Sequence, residues 1–83
     1  MRYVTRQLVF PEGDTREIGW SLSFGQLVDV AGSPLSLPVS TVRMLAFRVR
    51  RISTDETRNE EITSYFLEQL FPEDLAAYSD APP

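Results

Sequence analysis

Ile18, Trp20, Leu22 and Phe24 alternate strictly with Glu17, Gly19, Ser21 and Ser23. A repeat of two is the side-chain period of a strand that buries one face. Residues 16 to 24 are therefore expected to form a β-strand, with those four side chains turned to a core. Residues 2 to 10 mix β-branched, aromatic and long side chains without a helical stripe and also predict a strand. Between the two, Pro11-Glu12-Gly13-Asp14 supplies a turn, because proline presets φ and glycine accepts the left-handed exit. The first expectation is a hairpin.

Gly25 interrupts the alternation as a bulge or sharp bend. Asp29-Val30-Ala31-Gly32 then has aspartate at the first and glycine at the fourth place of a type I turn, which predicts a smaller hairpin from residues 26 to 30 and 33 to 37. Pro34 and Pro38 cannot donate to a ladder, so this segment belongs at a sheet edge or in a connector. Residues 42 to 52 read as the central core strand. Leu45, Phe47 and Val49 line one face, while Val42, Met44 and Ala46 line the other until it turns to Arg48 and Arg50.

Residues 53 to 61 are polar throughout and read as a loop. Residues 62 to 71 allow two readings. Ile62, Tyr65, Phe66 and Leu70 recur at helical spacing behind Asn59 and two glutamates, which favours a helix. The β-branched and aromatic content favours a strand paired with residues 42 to 52. Helix is preferred on periodicity. Pro72-Glu73-Asp74 opens a short helical turn reaching Tyr78. The fold expected is mainly β, of the α+β kind: a small antiparallel sheet or partly open barrel of four to five strands. An acidic C-terminal segment, helical at least in part, packs beside it. Residues 1 to 78 form one domain and residues 79 to 83 a frayed tail.

Composition narrows the chemistry more than the fold. The 83 residues include no cysteine, no histidine and no lysine, so all eight basic side chains are arginine. Thiolate and imidazole metal sites, Ser-His nucleophile systems, Schiff-base lysines and the phosphate-loop lysine are all ruled out. A domain of this size buries only about 60 to 65 % of its unfolded surface and has no disulfide to widen the margin. The carboxylate pairs Glu60-Glu61 and Glu73-Asp74 do not converge, since neighbouring residues point apart on helix and strand alike. Asp55 to Glu61 fails as a calcium loop, with Arg58 among the would-be ligands and glutamate at the glycine position. Gly19-Trp20-Ser21-Leu22-Ser23 lacks the second glycine of a nucleophile elbow. No metal, no cofactor and no catalysis are expected.

Net charge is −4, but it is unevenly spread. Residues 1 to 52 hold seven arginines against four acids, and residues 53 to 83 one arginine against eight acids. Arg43, Arg48, Arg50 and Arg51 cluster in one strand with no acid between Asp29 and Asp55. On a regular strand Arg48 and Arg50 share one face and Arg43 and Arg51 the other. These four are the candidate partner-binding residues. Pairing with the acidic third is the plain structural use for them. The functional expectation is a protein-interaction or self-association module, a homodimer included. A nucleic-acid-binding module built on the arginine strand is the alternative, disfavoured by net charge and by Phe47 lying on the opposite face. The longest apolar run, Met44 to Phe47, is far below the roughly 20 residues of a spanning helix, and no export signal is visible. No membrane role is expected, and the location expected is cytoplasmic.

Overall fold

The first turn forms as its residues dictate. In the computed structural model, which describes residues 3–37 and 43–78, the Gly13 amide donates to the Phe10 carbonyl at 2.9 Å and the Phe10 amide to the Asp14 carbonyl at 2.8 Å. Gly13 takes a φ of +102°, which only glycine adopts cheaply. This turn joins β1 (Tyr3–Val9) to β2 (Thr15–Ile18), paired antiparallel from Arg6↔Ile18 to Val9↔Thr15. The Asp29 turn also forms. Asp29 Oδ1 accepts from the amides of Ala31 and Ser33 at 2.9 and 3.0 Å, and Gly32 leaves at a φ of +83°. It follows β3 (Leu27–Val28) and returns through a bridge of Val28 to Pro34, the small hairpin expected there.

β4 (Ala46–Glu56) and β5 (Glu60–Leu70) make a long hairpin. The sheet order is β2-β1-β5-β4-β3, and the five strands curl into a half-barrel. The sheet is mixed. β1 runs parallel to β5 while every other neighbour is antiparallel, so the expectation of a purely antiparallel sheet is corrected. One short helix, α1 (Pro72–Leu75), and a 3₁₀ turn over Ala76–Tyr78 follow. The expected helical C-terminal segment shrinks to these two pieces. Among the described residues no helix is long and apolar enough to cross a membrane.

Four further expectations are corrected. Residues 62 to 70, where a helix reaching residue 71 is preferred on periodicity, are a strand, and Phe71 leads into α1. The helical spacing there divides between two faces, with Tyr65 on one and Ile62, Phe66 and Leu70 on the other. Hydrogen bonding to β1 on one side and β4 on the other outweighs that spacing in a segment rich in β-branched and aromatic residues. Residues 53 to 56, expected as loop, extend β4, and the turn contracts to residues 57 to 59. Thr54 faces Thr63 across the ladder with their hydroxyls 3.4 Å apart. At its start β4 is shorter than expected. Arg43 and Met44 lie in a bend, Leu45 is exposed, and Val42 lies outside the described residues, as does the expected tail 79 to 83.

The alternating segment is the fourth correction. β2 ends at Ile18 instead of running to Phe24. β2 and β3 occupy opposite edges of the sheet, so residues 19 to 26 must cross roughly 19 Å of sheet face, four strand spacings of about 4.8 Å. Leu22 is buried under that crossing, but Trp20 is 40 % exposed and Phe24 73 %. The Trp20 indole N–H donates to the Gly32 carbonyl at 3.0 Å and ties the crossing segment to the Asp29 turn.

The crossing segment covers the inner face, where Leu8, Ile18, Leu22, Val28, Phe47, Val49, Tyr65 and Leu67 form the main core. Phe10 meets Phe47 edge to face, with centroids 5.2 Å apart. A second cluster on the outer face joins Leu27, Ala46 and Leu70 under Leu75 of α1. The Phe71 amide donates to Asp74 Oδ2 at 2.9 Å, so one of the acids at this helix start satisfies backbone.

Candidate functional site

The arginine strand contains an irregularity that sequence alone does not show. Val49 pairs with Leu67 but Arg51 pairs with Phe66, leaving Arg50 as an extra residue in β4. This β-bulge changes which side chains share a face. Arg48 stands opposite Glu68 and Arg51 opposite Phe66; Glu68 and Phe66 are two residues apart, so Arg48 and Arg51 lie on the same outer face. The expected grouping of Arg48 with Arg50 against Arg43 with Arg51 is thereby corrected. Arg43 sits in the bend before β4 and is not part of the ladder.

The three ladder arginines have different surroundings. Arg48 is committed within the fold. Its Nε donates to Glu68 Oε1 at 2.8 Å, its Nη2 donates to the same oxygen, and its Nη1 donates to the Tyr78 hydroxyl at 2.7 Å. These bonds, first Glu68 and then Tyr78, hold the guanidinium pKa above its ordinary value against a smaller opposing effect of burial. Arg51 lies over the Phe66 ring, 4.2 Å from its centroid, and Arg50 lies 6.0 Å from the same centroid. Both are exposed and, among the described residues, neither forms an ion pair. The arginines are thus divided between an internal tie and an open basic corner.

Beside this corner Phe24, Gly25, Arg48, Arg50, Glu68 and Tyr78 line a shallow hollow of about 460 Å³. Among the described residues Phe24 is the most exposed of the large apolar side chains. Its place next to Arg50 follows from the crossing segment, which no local pattern reveals. A second hollow, of about 560 Å³, lies at the other end of β4 over Phe10, Phe47, Val30 and Leu45, with Glu12, Asp14 and Arg16 on its rim. It too was invisible to local reading, because it joins the first turn to the residue before β4. Among the described residues no group of three or more acids converges closely enough to hold a metal ion.

Alongside the basic corner runs a backbone edge. On β4, β3 pairs with Phe47 and Arg48, and its entry closes on Val49, whose carbonyl accepts from the Gly25 amide and whose amide donates to the Gln26 carbonyl. From Arg50 to Glu56, among the described residues, β4 has no outer strand. The Thr57 amide bonds to the Glu60 carbonyl across the hairpin at 2.8 Å, and backbone direction alternates along a strand. Glu56, Thr54 and Ile52 therefore point their N–H and C=O groups away from β5. With no outer strand beside them among the described residues, Ile52 and Thr54 offer a template for another strand.

Residues 5–78 match a family described as "Uncharacterised Treponema protein". The chain belongs to this family. No curated protein and no solved structure matches it. The matched region of this Treponema family takes in all five strands except the first two residues of β1, together with α1 and the turn ending at Tyr78. The bulge, the basic corner and the open edge of β4 all fall inside it.

Proposed function

We propose that this domain is a small non-catalytic interaction module that docks a protein segment, from another chain or from a second copy, along the open edge of β4. The observation that carries the reading is that edge, with Ile52 and Thr54 directing backbone groups outward beside the exposed Arg50 and Arg51. An extended segment added there gains main-chain hydrogen bonds for affinity and alternate side-chain contacts for specificity. A chain without cysteine, histidine or lysine offers few groups for chemistry but a usable surface for this. In this reading the domain works in the cytoplasm, where a fold without disulfides needs no oxidising compartment.

Thr54→Pro tests the reading. Proline removes one outward N–H while leaving the bonds to β5, the one kind of strand position that tolerates it. Wild type and variant serve as baits in quantitative affinity capture from a Treponema lysate, with the purified chain added as a further prey. Support is a prey, the chain itself included, that wild type retains and a folded Thr54→Pro releases. If the two baits retain the same preys, the edge is not the docking site.

A nucleic-acid reading keeps one specific support, the exposed Phe24 beside Arg50. Arg51 already covers the Phe66 ring, so Phe24 is the aromatic left for stacking. Fluorescence anisotropy with a labelled single strand checks it. Binding that weakens steeply with salt and is lost in Arg50→Ala with Arg51→Ala would favour it over docking of protein.

A further inference from the structure

We infer that the open edge of β4 is closed by the same edge of a second copy, antiparallel and centred on Ser53. The inference rests on the edge-docking reading above and names its occupant. Between the β3 contacts of Val49 and the Thr57 turn, Ile52 and Thr54 point their backbone groups away from β5, and Ser53 lies midway between them. A twofold axis through Ser53 lays Ile52 of each copy against Thr54 of the other. It also aligns like faces, as antiparallel neighbours require.

The side chains select this register. With Ser53 at the centre, Ile52 falls opposite the partner's Thr54. Both are positions whose backbone groups point outward, so each of the two symmetric Ile52 and Thr54 pairs can exchange both of its main-chain hydrogen bonds. Arg51 falls opposite the partner's Asp55, and both stand on the outer face, because Arg51 pairs with Phe66 and Asp55 with Ile62 across β5. That is a non-hydrogen-bonded pair, the kind in which opposing side chains approach closest. Symmetry makes the ion pair twice. The basic pair Arg50–Arg51 of each copy lies beside Asp55 of the other.

The neighbouring registers lose this match. Centring on Thr54 sets Arg51 against the partner's Thr57 and Ile52 against a glutamate. Centring on Ile52 sets Arg51 against the partner's Ser53 and leaves Asp55 unopposed. A self-complementary order of charge over seven residues, with a bulge that turns Arg51 to the face of Asp55, is what a strand meeting its own copy requires.

The test is sedimentation equilibrium of wild type, Arg51→Asp, Asp55→Arg and an equimolar mixture of the two variants, from about 10 μM to about 1 mM. Circular dichroism verifies that each variant is folded. The expected result is a wild-type dimer, at least about 30-fold weaker association of either variant alone, and a mixed dimer within about threefold of wild-type affinity. The mixture recovers because the acidic variant meets the basic one at both pairs, which happens only in the register centred on Ser53. A wild type that stays monomeric to about 1 mM, variants that associate as wild type does, or a mixture of folded variants that fails to associate would each overturn the inference. Should self-association fail while Thr54→Pro still releases a different protein, the docking edge stands and only its occupant changes. If Thr54→Pro releases nothing, the edge reading fails with it.

Discussion

Arg51 and Phe66 meet across the β4–β5 ladder, guanidinium over ring at 4.2 Å, because one extra residue in β4 turns Arg51 to the outer face. Without Arg50 as the bulge, residues 48 and 51 would lie on opposite faces by simple alternation. The contact places an arginine's weakly hydrated plane on an aromatic face and leaves its edge free for an acid.

The bulge makes an unusual deletion tolerable. Removing Arg50 leaves Arg51 to Glu56 opposite their present partners on β5, so every buried side chain stays on its face. The expected loss is within about 1 kcal/mol. Deleting Ser53, where pairing is regular, forces the neighbouring ladder to slip and should cost several kcal/mol, about 3 or more. Urea melts of the two deletions, compared with wild type, check the contrast. Equal losses would show that the ladder does not absorb Arg50 as described.

Phe47 joins the main core, stacks edge-on with Phe10 and is 7 % exposed. Phe47→Ala should cost about 3 to 5 kcal/mol, enough to unfold much of a domain with no disulfide. Chemical denaturation is the measurement, and a loss below about 1 kcal/mol contradicts the placement of β4.

Gly32 combines two constraints. Its φ is +83°, and a Cβ built on it would lie 2.6 Å from Leu8 Cδ1, whose side chain is fully buried and cannot swing aside. Gly13 has a φ of +102° but nothing within 4 Å of the same position. Gly32→Ala should lose about 2 to 4 kcal/mol and Gly13→Ala about 1 to 2 kcal/mol, the difference being the clash. Thermal melts of both variants, run together, measure it.

The Arg48 tie to Glu68 is roughly a third exposed at both ends, so solvent screens it. Arg48→Ala should cost about 1 kcal/mol or less. A pKa raised in the folded state contributes stability that is complete below the ordinary guanidinium value of the unfolded chain and is lost only as pH climbs through the folded one. The gap between wild type and Arg48→Ala should therefore be flat from about pH 6 to pH 9. Urea midpoints across that range would expose any slope arising from the guanidinium.

Much of the frame is legible in the residues themselves. Gly13 and Asp29 announce their turns because the chemistry of a turn is local, and Phe47 and Val49 declare a core because burial follows apolarity. The order of strands is not local. Nothing between residues 60 and 70 states that β1 will arrive on one side and β4 on the other, so a segment with helical spacing reads as a helix when it is the sheet centre. Trp20 and Phe24 mislead for a related reason. Their alternation continues into a crossing segment, where period two no longer separates inside from outside. Of the four candidate arginines, the sequence supplies the cluster and its acidic counterpart. The division into a tied Arg48 and an open Arg50 and Arg51 needs the bulge, and Phe66, the aromatic partner, comes from another strand.

The parallel seam between β1 and β5 sets when this chain can fold. Gln7 donates to the Ser64 hydroxyl at 3.0 Å across 57 positions of sequence, so the first of the five strands waits for the last. Until residue 70 has left the ribosome, β1 and β2 form at most a lone hairpin, which is marginal in water. Such long-range pairing slows folding and leaves the nascent edge strands exposed meanwhile. A chain cut short within β5 should accumulate as an unfolded, protease-sensitive species and not as a smaller domain.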